Sequence, residues 1–500
     1  MREQLALLPE LLGAHIRLTL SALVTGAALA VPAGVLASRV PRVEGLVLGL
    51  AGVIQTVPAL ALLAVMVPLL SGLGLSGIGF LPAFLALVLY SLLPILRNTV
   101  AGLAGIDPAV REAAEGVGMT PGQRLRMVEL PLALPVILAG VRTATVWSVG
   151  MATLSTPVGA PSLGNYIFGG LQTRNYDAVL VGCGAAALLA LGLDGLLRLL
   201  ANGYTQRRPA RVLAGGALLV ALGAASLSGL APRGATRPLR IGAKTFTEQY
   251  VLAEVLARQV QRKTGAPAEV LPSLGSTVAF DALARGEIDA YVEYTGTIRS
   301  TLMHRTGAGA GRAAVMAEVD GWLRDTHGVG LACALGFENT YAFALRRDQA
   351  EALGVRRLSD LAPRAARLRA AADYEFWSRG EWADVKHTYD LDFAERRVMD
   401  PSLLYAAVAG SQVDVITAYS SDGRIAAFDL VTLEDDRGAI PPYDAVVLVS
   451  RRTLERRPDV VAALRALEGT IDVERMRAMN VAVDRDHKTP TAVAEEFLAR

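Results

Sequence analysis

Apolar positions dominate the chain from about His15 to Leu230 and then give way, from Arg240 onward, to the mixed pattern of a water-soluble segment. In the first half they come in long stretches, at about 15–38, 44–70, 77–97, 131–153, 178–200 and 211–230. A helix needs about 20 such residues to cross the hydrocarbon core, so the pattern predicts an all-α membrane domain with about six spans. Pro32, Pro58, Pro82 and Pro94 fall inside these stretches. A bundle tolerates them where neighbouring helices or water satisfy the freed backbone groups.

The second half reads differently. "LRIGAKTFTEQYVLAEVLARQVQRKTGAPAEVLPSLGS" is a buried strand, a loop, a helix with apolar residues spaced by three and four, and another strand. Repetition of that unit predicts an α/β domain with a mostly parallel sheet over 240–500, after a transmembrane domain over 1–230 and a linker at 231–239. "NTYAFALRR" (339–347) and "YDAVVLVSRR" (443–452) have similar character, and we read them as the places where the chain crosses between two lobes and returns. Lobe one is then 240–340 with 445–500, lobe two is 341–444, and a ligand binds in a cleft that closes by a hinge.

Composition sharpens this. The overall 52% hydrophobic content averages two populations, which implies at least two domains. A net charge of +2 gives no footprint for nucleic acid. Cys183 and Cys333 fall in different halves and are read as packing residues, with no disulfide and no metal site implied. The N-terminus lacks the pattern of a cleavable signal peptide.

Charge also orients the spans. Arg39 and Arg42 mark the first connector, Arg97, Arg111, Arg124 and Arg126 the third, and Arg198, Arg207, Arg208 and Arg211 the fifth. The second connector is uncharged and the fourth carries only Arg174, so the odd connectors are expected in the cytoplasm and the C-terminal domain outside. Glu44 and Asp194 are placed near span ends. Arg142, inside the fourth span, is expected to face a translocation path or a dimer seam. In the third connector, Asp107-Pro108 should start a helix, Gly118 should end it in a left-handed cap, and Thr120 with Gln123 should start the next as a capping box. Two short helices and a tight turn make a rigid cytoplasmic knob.

For ligand chemistry, "KTFTEQ" (244–249), "EYTGT" (293–297) and "NTY" (339–341) are loops at strand ends that combine hydroxyl or amide donors, the last two with an aromatic ring. Rings with few fixed charges suit a small molecule with a bulky cation at one end, because a trimethylammonium group donates no conventional hydrogen bond and aromatic faces attract it. Catalysis has little support: the chain has no GxSxG, no HExxH and no GxxxxGK[ST]. A ligand-gated receptor is the alternative of another class, and it would need a cytoplasmic output domain.

Two resemblances are specific. Glu112, Ala113, Ala114, Gly118, Leu130 and Pro131 resemble the EAA loop of ABC importer permeases, with Val128 where that pattern has Ile. The resemblance implies that the loop at about 107–131 docks on a separate ATPase subunit, that ATP is bound there and no cofactor by this chain, and that two copies of the chain act together. "QTVPALALLAV" (55–65) is similar to osmoprotectant permeases. "KTFTEQ", "GEIDAYVEYTGT", "NTYA" and "VDVITAYSSDGRI" resemble the substrate-binding proteins of glycine betaine/carnitine/choline importers over most of 240–450. That family implies a two-lobed, periplasmic-binding-protein-like (type II) fold and an aromatic cage. Tyr294, Tyr341 and Tyr405 match cage positions, Trp382 falls where the family usually has Tyr, and Gln249 and Thr297 match polar contacts. Fused importers of ergothioneine, a trimethylammonium betaine, are also similar.

Overall fold

The structure, a computed structural model, describes residues 2–173, 175–227, 237–305, 311–373 and 376–499. It divides into two compact units, one of apolar helices and one built on two β-sheets. Arg174 and residues 231–236 of the expected linker lie outside the described residues, and Leu239 already belongs to the first strand.

The helical unit contains α1 (Arg2–Arg39), α2 (Pro41–Thr56), α3 (Ala59–Gly72), α4 (Phe80–Ala104), α5 (Pro108–Gly116), α6 (Pro121–Arg124), α7 (Leu130–Ala152), α8 (Gly164–Gln172), α9 (Tyr176–Thr205) and α10 (Pro209–Leu227). Among the described residues five helices are long and apolar enough to cross a membrane, and the pair α2 and α3 makes a sixth crossing only if it counts as one span. The expected stretch 44–70 is therefore not one helix: its halves meet at 100°. Pro58 is the cause. It has no N–H to continue α2 and it pushes Val57 into extended geometry, at φ −70° and ψ 126°.

Close helix contact explains Gly140, where a Cβ would stand 2.6 Å from Asn98 Cβ and 2.7 Å from the Pro94 carbonyl of α4. Arg142 of α7 is paired within the chain. Its Nε lies 2.8 Å from Asp194 Oδ1 and a terminal nitrogen 3.1 Å from Oδ2, and Arg198 adds a contact at 3.4 Å. Asp194 of α9 thus serves Arg142 as a counter-ion. Cys183 is exposed on α9, contrary to the packing role expected of it, whereas Cys333 is buried in the other unit.

The third connector forms the expected caps. Asp107 accepts from Ala109 N, Gly118 takes φ +84°, and Thr120 and Gln123 make a reciprocal capping box. A π-turn at Leu125–Glu129 then leads into α7 and turns Glu129 inward, where it is 2% exposed. Its carboxylate pairs with Arg39 at the end of α1, with Arg124 at 3.2 Å and with Arg111 at 3.6 Å.

In the second unit the strands are β1 (Leu239–Lys244), β2 (Ala268–Leu274), β3 (Ala290–Tyr294), β4 (Gly330–Glu338), β5 (Tyr341–Arg346), β6 (Arg369–Ala372), β7 (Glu395–Val398), β8 (Val415–Tyr419), β9 (Leu430–Thr432) and β10 (Asp444–Val449). One sheet runs β2-β1-β3-β10-β4 and the other β7-β6-β8-β5-β9. Only the β1 and β6 pairings are parallel; β10 and β5 run antiparallel to both of their neighbours. By direction, four strands of each sheet run together and β10 or β5 runs against them, so the expected mostly parallel sheet is present with one reversed strand, for a topological reason. β5 and β10 are the strands on which the chain arrives in a new lobe, and each enters its sheet from the side of the cleft. The two crossings lie side by side, with Asn339 N donating to Tyr443 O at 3.0 Å. Central strands such as β10 are buried at every residue, as a strand covered on both faces must be.

Candidate functional site

Tyrosines stand at the ends of the strands that meet at the crossing. Tyr294 ends β3, Tyr341 begins β5, Tyr419 ends β8, and Tyr443 immediately precedes β10. With Phe246, from the loop after β1, they form a chain of rings. Centroids are 6.3 Å apart for Tyr294–Phe246, 5.8 Å for Phe246–Tyr419, 5.2 Å for Tyr419–Tyr341 and 5.9 Å for Tyr341–Tyr443. Gly296, two residues past Tyr294, lies flat against Tyr443; a Cβ there would come within 2.4 Å of the ring. Glycine at this position brings the two ends of the ring chain together.

The hydroxyls of all four tyrosines are committed to carboxylates. Tyr294 donates to Glu248, Tyr443 to Glu381, and Tyr341 and Tyr419 to Asp373 Oδ2 at 3.4 and 3.3 Å. Burial, reinforced by the neighbouring acidic groups, holds the Tyr294, Tyr341 and Tyr443 hydroxyls well above their ordinary range, so they remain protonated donors. A phenol donating to a carboxylate is polarised toward a more negative ring face. Cations already lie over two of these rings: Lys244 Nζ is 4.8 Å from the Tyr294 centroid while pairing with Glu293, and the Arg379 guanidinium is 5.5 Å from that of Tyr341.

Glu248 joins the lobes. It begins α11 (Thr247–Thr264) and accepts from Tyr294 in its own lobe, from Asn339 at the crossing, from Ser421 of the second lobe, and from Asn480 of the helix Val473–Asp484. Burial pushes its carboxyl above the usual range, and the four donors oppose that shift. Beside it, Gly423 lies close to the helix Val473–Asp484; a Cβ there would stand 3.0 Å from the Val481 backbone nitrogen. The "YSSDG" turn is thus the contact between lobes.

The residues picked out from sequence divide into two groups. Tyr294 and Tyr341 are in the ring chain, and Gln249 supports it, with Nε2 3.0 Å from Val292 O and 3.2 Å from Tyr294 Oη. Thr297 is buried in the turn after β3, but Thr295 is the residue that pins the crossing, bonding Pro442 O and Asp444 N at 3.0 Å each. Trp382 and Tyr405 are not in the chain of rings. Trp382 packs on Trp377, Phe376 and Phe393, one ring removed from Tyr341. Tyr405 lies in the helix Pro401–Ala409 against Ala344, Ala371 and Ile416, the opposite sheet face from Tyr341, Phe343 and Ala370, and Arg424 stacks on it at 4.1 Å. Sequence reading missed Phe246, Glu248, Tyr419, Tyr443, Asp373, Arg379 and Glu381. The usable signal was position: a tyrosine at the end of a fully buried strand faces the cleft, whereas one inside a helix packs. Among the described residues no cluster of His, Cys, Asp and Glu could hold a metal ion.

Residues 237–500 match the family model described as the substrate binding domain of ABC-type glycine betaine transport system, and residues 26–206 match the binding-protein-dependent transport system inner membrane component. One relative spans both parts: the ergothioneine transport permease/ergothioneine binding protein EgtU of Helicobacter pylori (strain G27) is 31% identical over 93% of this chain and 85% of its own length. This chain belongs to the family of fused permease and substrate-binding subunits of ABC importers. The importer's membrane part is 43% identical to the choline transport system permease protein OpuBB of Bacillus subtilis, over 37% of this chain and 82% of that one. Its binding part is 31% identical to the carnitine transport binding protein OpuCC of Listeria monocytogenes, over 52% of this chain and 86% of that one.

In the importer's membrane part, the EAA residues lie on the knob of the third connector. Glu112 and Ala113 are exposed on α5, Ala114 is buried against the bundle, Gly118 forms the turn, and Leu130 and Pro131 begin α7. Val117 and Met127 stand 74% and 65% exposed on the same knob, an apolar surface of the kind that marks a protein contact.

Proposed function

We propose that the importer captures a small molecule with a methylated quaternary nitrogen, of the glycine betaine, choline or carnitine class, outside the cell and passes it through its membrane half. A separate ATPase subunit, docked at the loop containing Glu112, Ala113, Ala114, Gly118, Leu130 and Pro131, drives the step, and two copies of the chain form the pore. The observation that carries the reading is the run of neighbouring rings at the lobe crossing whose tyrosine hydroxyls all donate to carboxylates, which makes the rings electron-rich. Each face contributes about 0.5–2 kcal/mol to holding a cation, more when water is excluded. Arg379 and Lys244, the latter paired with Glu293, bring positive charge beside the rings, which suits a ligand that carries a carboxylate as well as its cation.

The ring chain draws on both lobes and on the crossing between them, so ligand release requires the Glu248 contacts to Ser421 to break and the lobes to part. The extracytoplasmic side follows from charge. With the bent pair counted as one crossing there are six, which puts both ends of the helical unit on one face. Arg39 of the first connector and Arg111 and Arg124 of the third converge on Glu129, which supports their sharing the other, cytoplasmic face.

Ergothioneine is a second reading within the same architecture, favoured by the relative of that name, which spans almost the whole chain. Calorimetry on the full chain tests the class with a matched pair. Glycine betaine and 3,3-dimethylbutanoate share shape and carboxylate, and only the first carries the cation. The charged ligand is expected to bind at least about thirtyfold tighter. Equal affinity removes the cation–π basis of the proposal.

A further inference from the structure

Three carboxylates anchor the ring tyrosines, and they are not equally occupied. Glu248 accepts four donors, and Asp373 accepts from Tyr341, Tyr419 and the Phe376 backbone N–H at 2.8 Å. Glu381, in the first turn of the helix Gly380–Tyr389, is 2% exposed and accepts from Tyr443 through Oε1 alone. Its Oε2 is buried and meets no donor among the described residues. A buried carboxylate oxygen without a donor costs free energy that a donor brought by a ligand would recover.

Its surroundings are those of the ligand site. Tyr443, held by Glu381, packs edge-on against Tyr341 and lies against the backbone of Gly296 in the "EYTGT" turn. Arg379, which stacks over Tyr341, precedes Glu381 by two residues. A trimethylammonium group can lie near Glu381 but offers it no hydrogen bond, so the methylated nitrogen alone leaves Oε2 unsatisfied. A hydroxyl or a ring N–H elsewhere on the ligand would satisfy it. Sites built to pair with a donor reject analogues that lack one, because the buried acceptor is then left alone.

We infer that Glu381 is a ligand-binding residue whose free carboxylate oxygen accepts a hydrogen bond from the substrate, so that the importer selects methylated-ammonium compounds carrying an O–H or N–H donor over those carrying none. The inference rests on the proposed function and narrows it: choline and carnitine carry a hydroxyl and ergothioneine a ring N–H, whereas glycine betaine has no donor.

Calorimetric titration of the full chain with choline, carnitine and ergothioneine, against the donor-free glycine betaine and ethyltrimethylammonium, tests it. The tightest donor-bearing ligand is expected to bind at least about tenfold better than either donor-free compound. Glu381→Gln keeps the shape and an acceptor for Tyr443 but turns an N–H toward the ligand donor. It should shrink that preference to within about threefold, weakening the donor-bearing ligands more than the donor-free ones, which lose only the carboxylate's charge beside the rings. A wild-type chain without the preference overturns the inference, and so does a variant that weakens every ligand by one common factor, the mark of a purely structural role. Should the variant fail to fold, the wild-type panel still decides. Binding of methylated ammonium compounds with no donor preference sinks this inference alone; binding of none of the five sinks the proposed function with it.

Discussion

Glu129 in the membrane half and Glu248 in the binding half are both buried, and they are held by opposite kinds of partner. Arg39, Arg111 and Arg124 surround Glu129 with permanent charge. Tyr294, Asn339, Ser421 and Asn480 surround Glu248 with neutral donors. The first arrangement ties segments of one bundle together, and separating it would strand charges in a poorly solvated place. The second draws its donors from two lobes and the crossing between them, and each donor can be exchanged for water when the cleft opens. Ion pairing therefore serves the part of the molecule that must keep its shape, and neutral hydrogen bonding serves the part that must let go.

The largest break in this comparison should come from Glu129→Ala. It leaves Arg39 and Arg111 without this counter-ion while Arg124 keeps Glu115, at about 3 kcal/mol, the low end for a broken buried pair because Arg39 and Arg111 keep about a third of their side-chain surface in solvent. Thermal unfolding of the purified chain should report the loss. Glu248→Ala should cost somewhat less, about 2–3 kcal/mol, since it leaves neutral donors and not charges unpaired. That cost should fall on closure, seen as weakened ligand affinity and a larger radius in small-angle scattering with ligand present. An unchanged radius would mean that Glu248 does not hold the lobes.

The same carboxyl gives a pH dependence. Its value is raised in the closed domain by burial, so closure gains most below the ordinary carboxyl value of 4.5 and loses that gain as pH rises through the raised value. Ligand affinity should fall over that interval in the wild type, and Glu248→Gln should flatten the profile.

Much of the knob in the third connector was legible in the sequence because its signals are local. Asp107, Gly118, Thr120 and Gln123 each act on backbone groups within a few residues, and each does so in the structure. The site was legible only in part. "EYTGT" and "NTYA" pointed to Tyr294 and Tyr341, but which further rings join them depends on pairings between residues far apart in sequence, such as Gly296 with Tyr443. Tyr405 resembled a cage residue by its place before the "VDV" strand, yet a helix turns it to the far face of the sheet. The bend at Pro58 is local, but its size depends on what packs around it.

The smallest predicted effects separate these residues. Tyr419→Ala should weaken the preferred ligand by about fivefold, roughly one ring face. Tyr405→Phe, which keeps the ring beneath Arg424, should leave affinity within about twofold. Calorimetry on the two variants side by side checks both, and a larger effect at Tyr405 would return it to the site.

The central claim is that electron-rich rings at the lobe crossing hold a methylated cation. Titration of the full chain with glycine betaine, choline, carnitine and ergothioneine, before and after the double change Tyr294→Ala and Tyr341→Ala, tests it most directly. The account predicts micromolar binding of at least one of these compounds and a loss of at least about thirtyfold in the double variant. Binding that survives the removal of both rings, or no binding of any of the compounds by the unaltered chain, would contradict it.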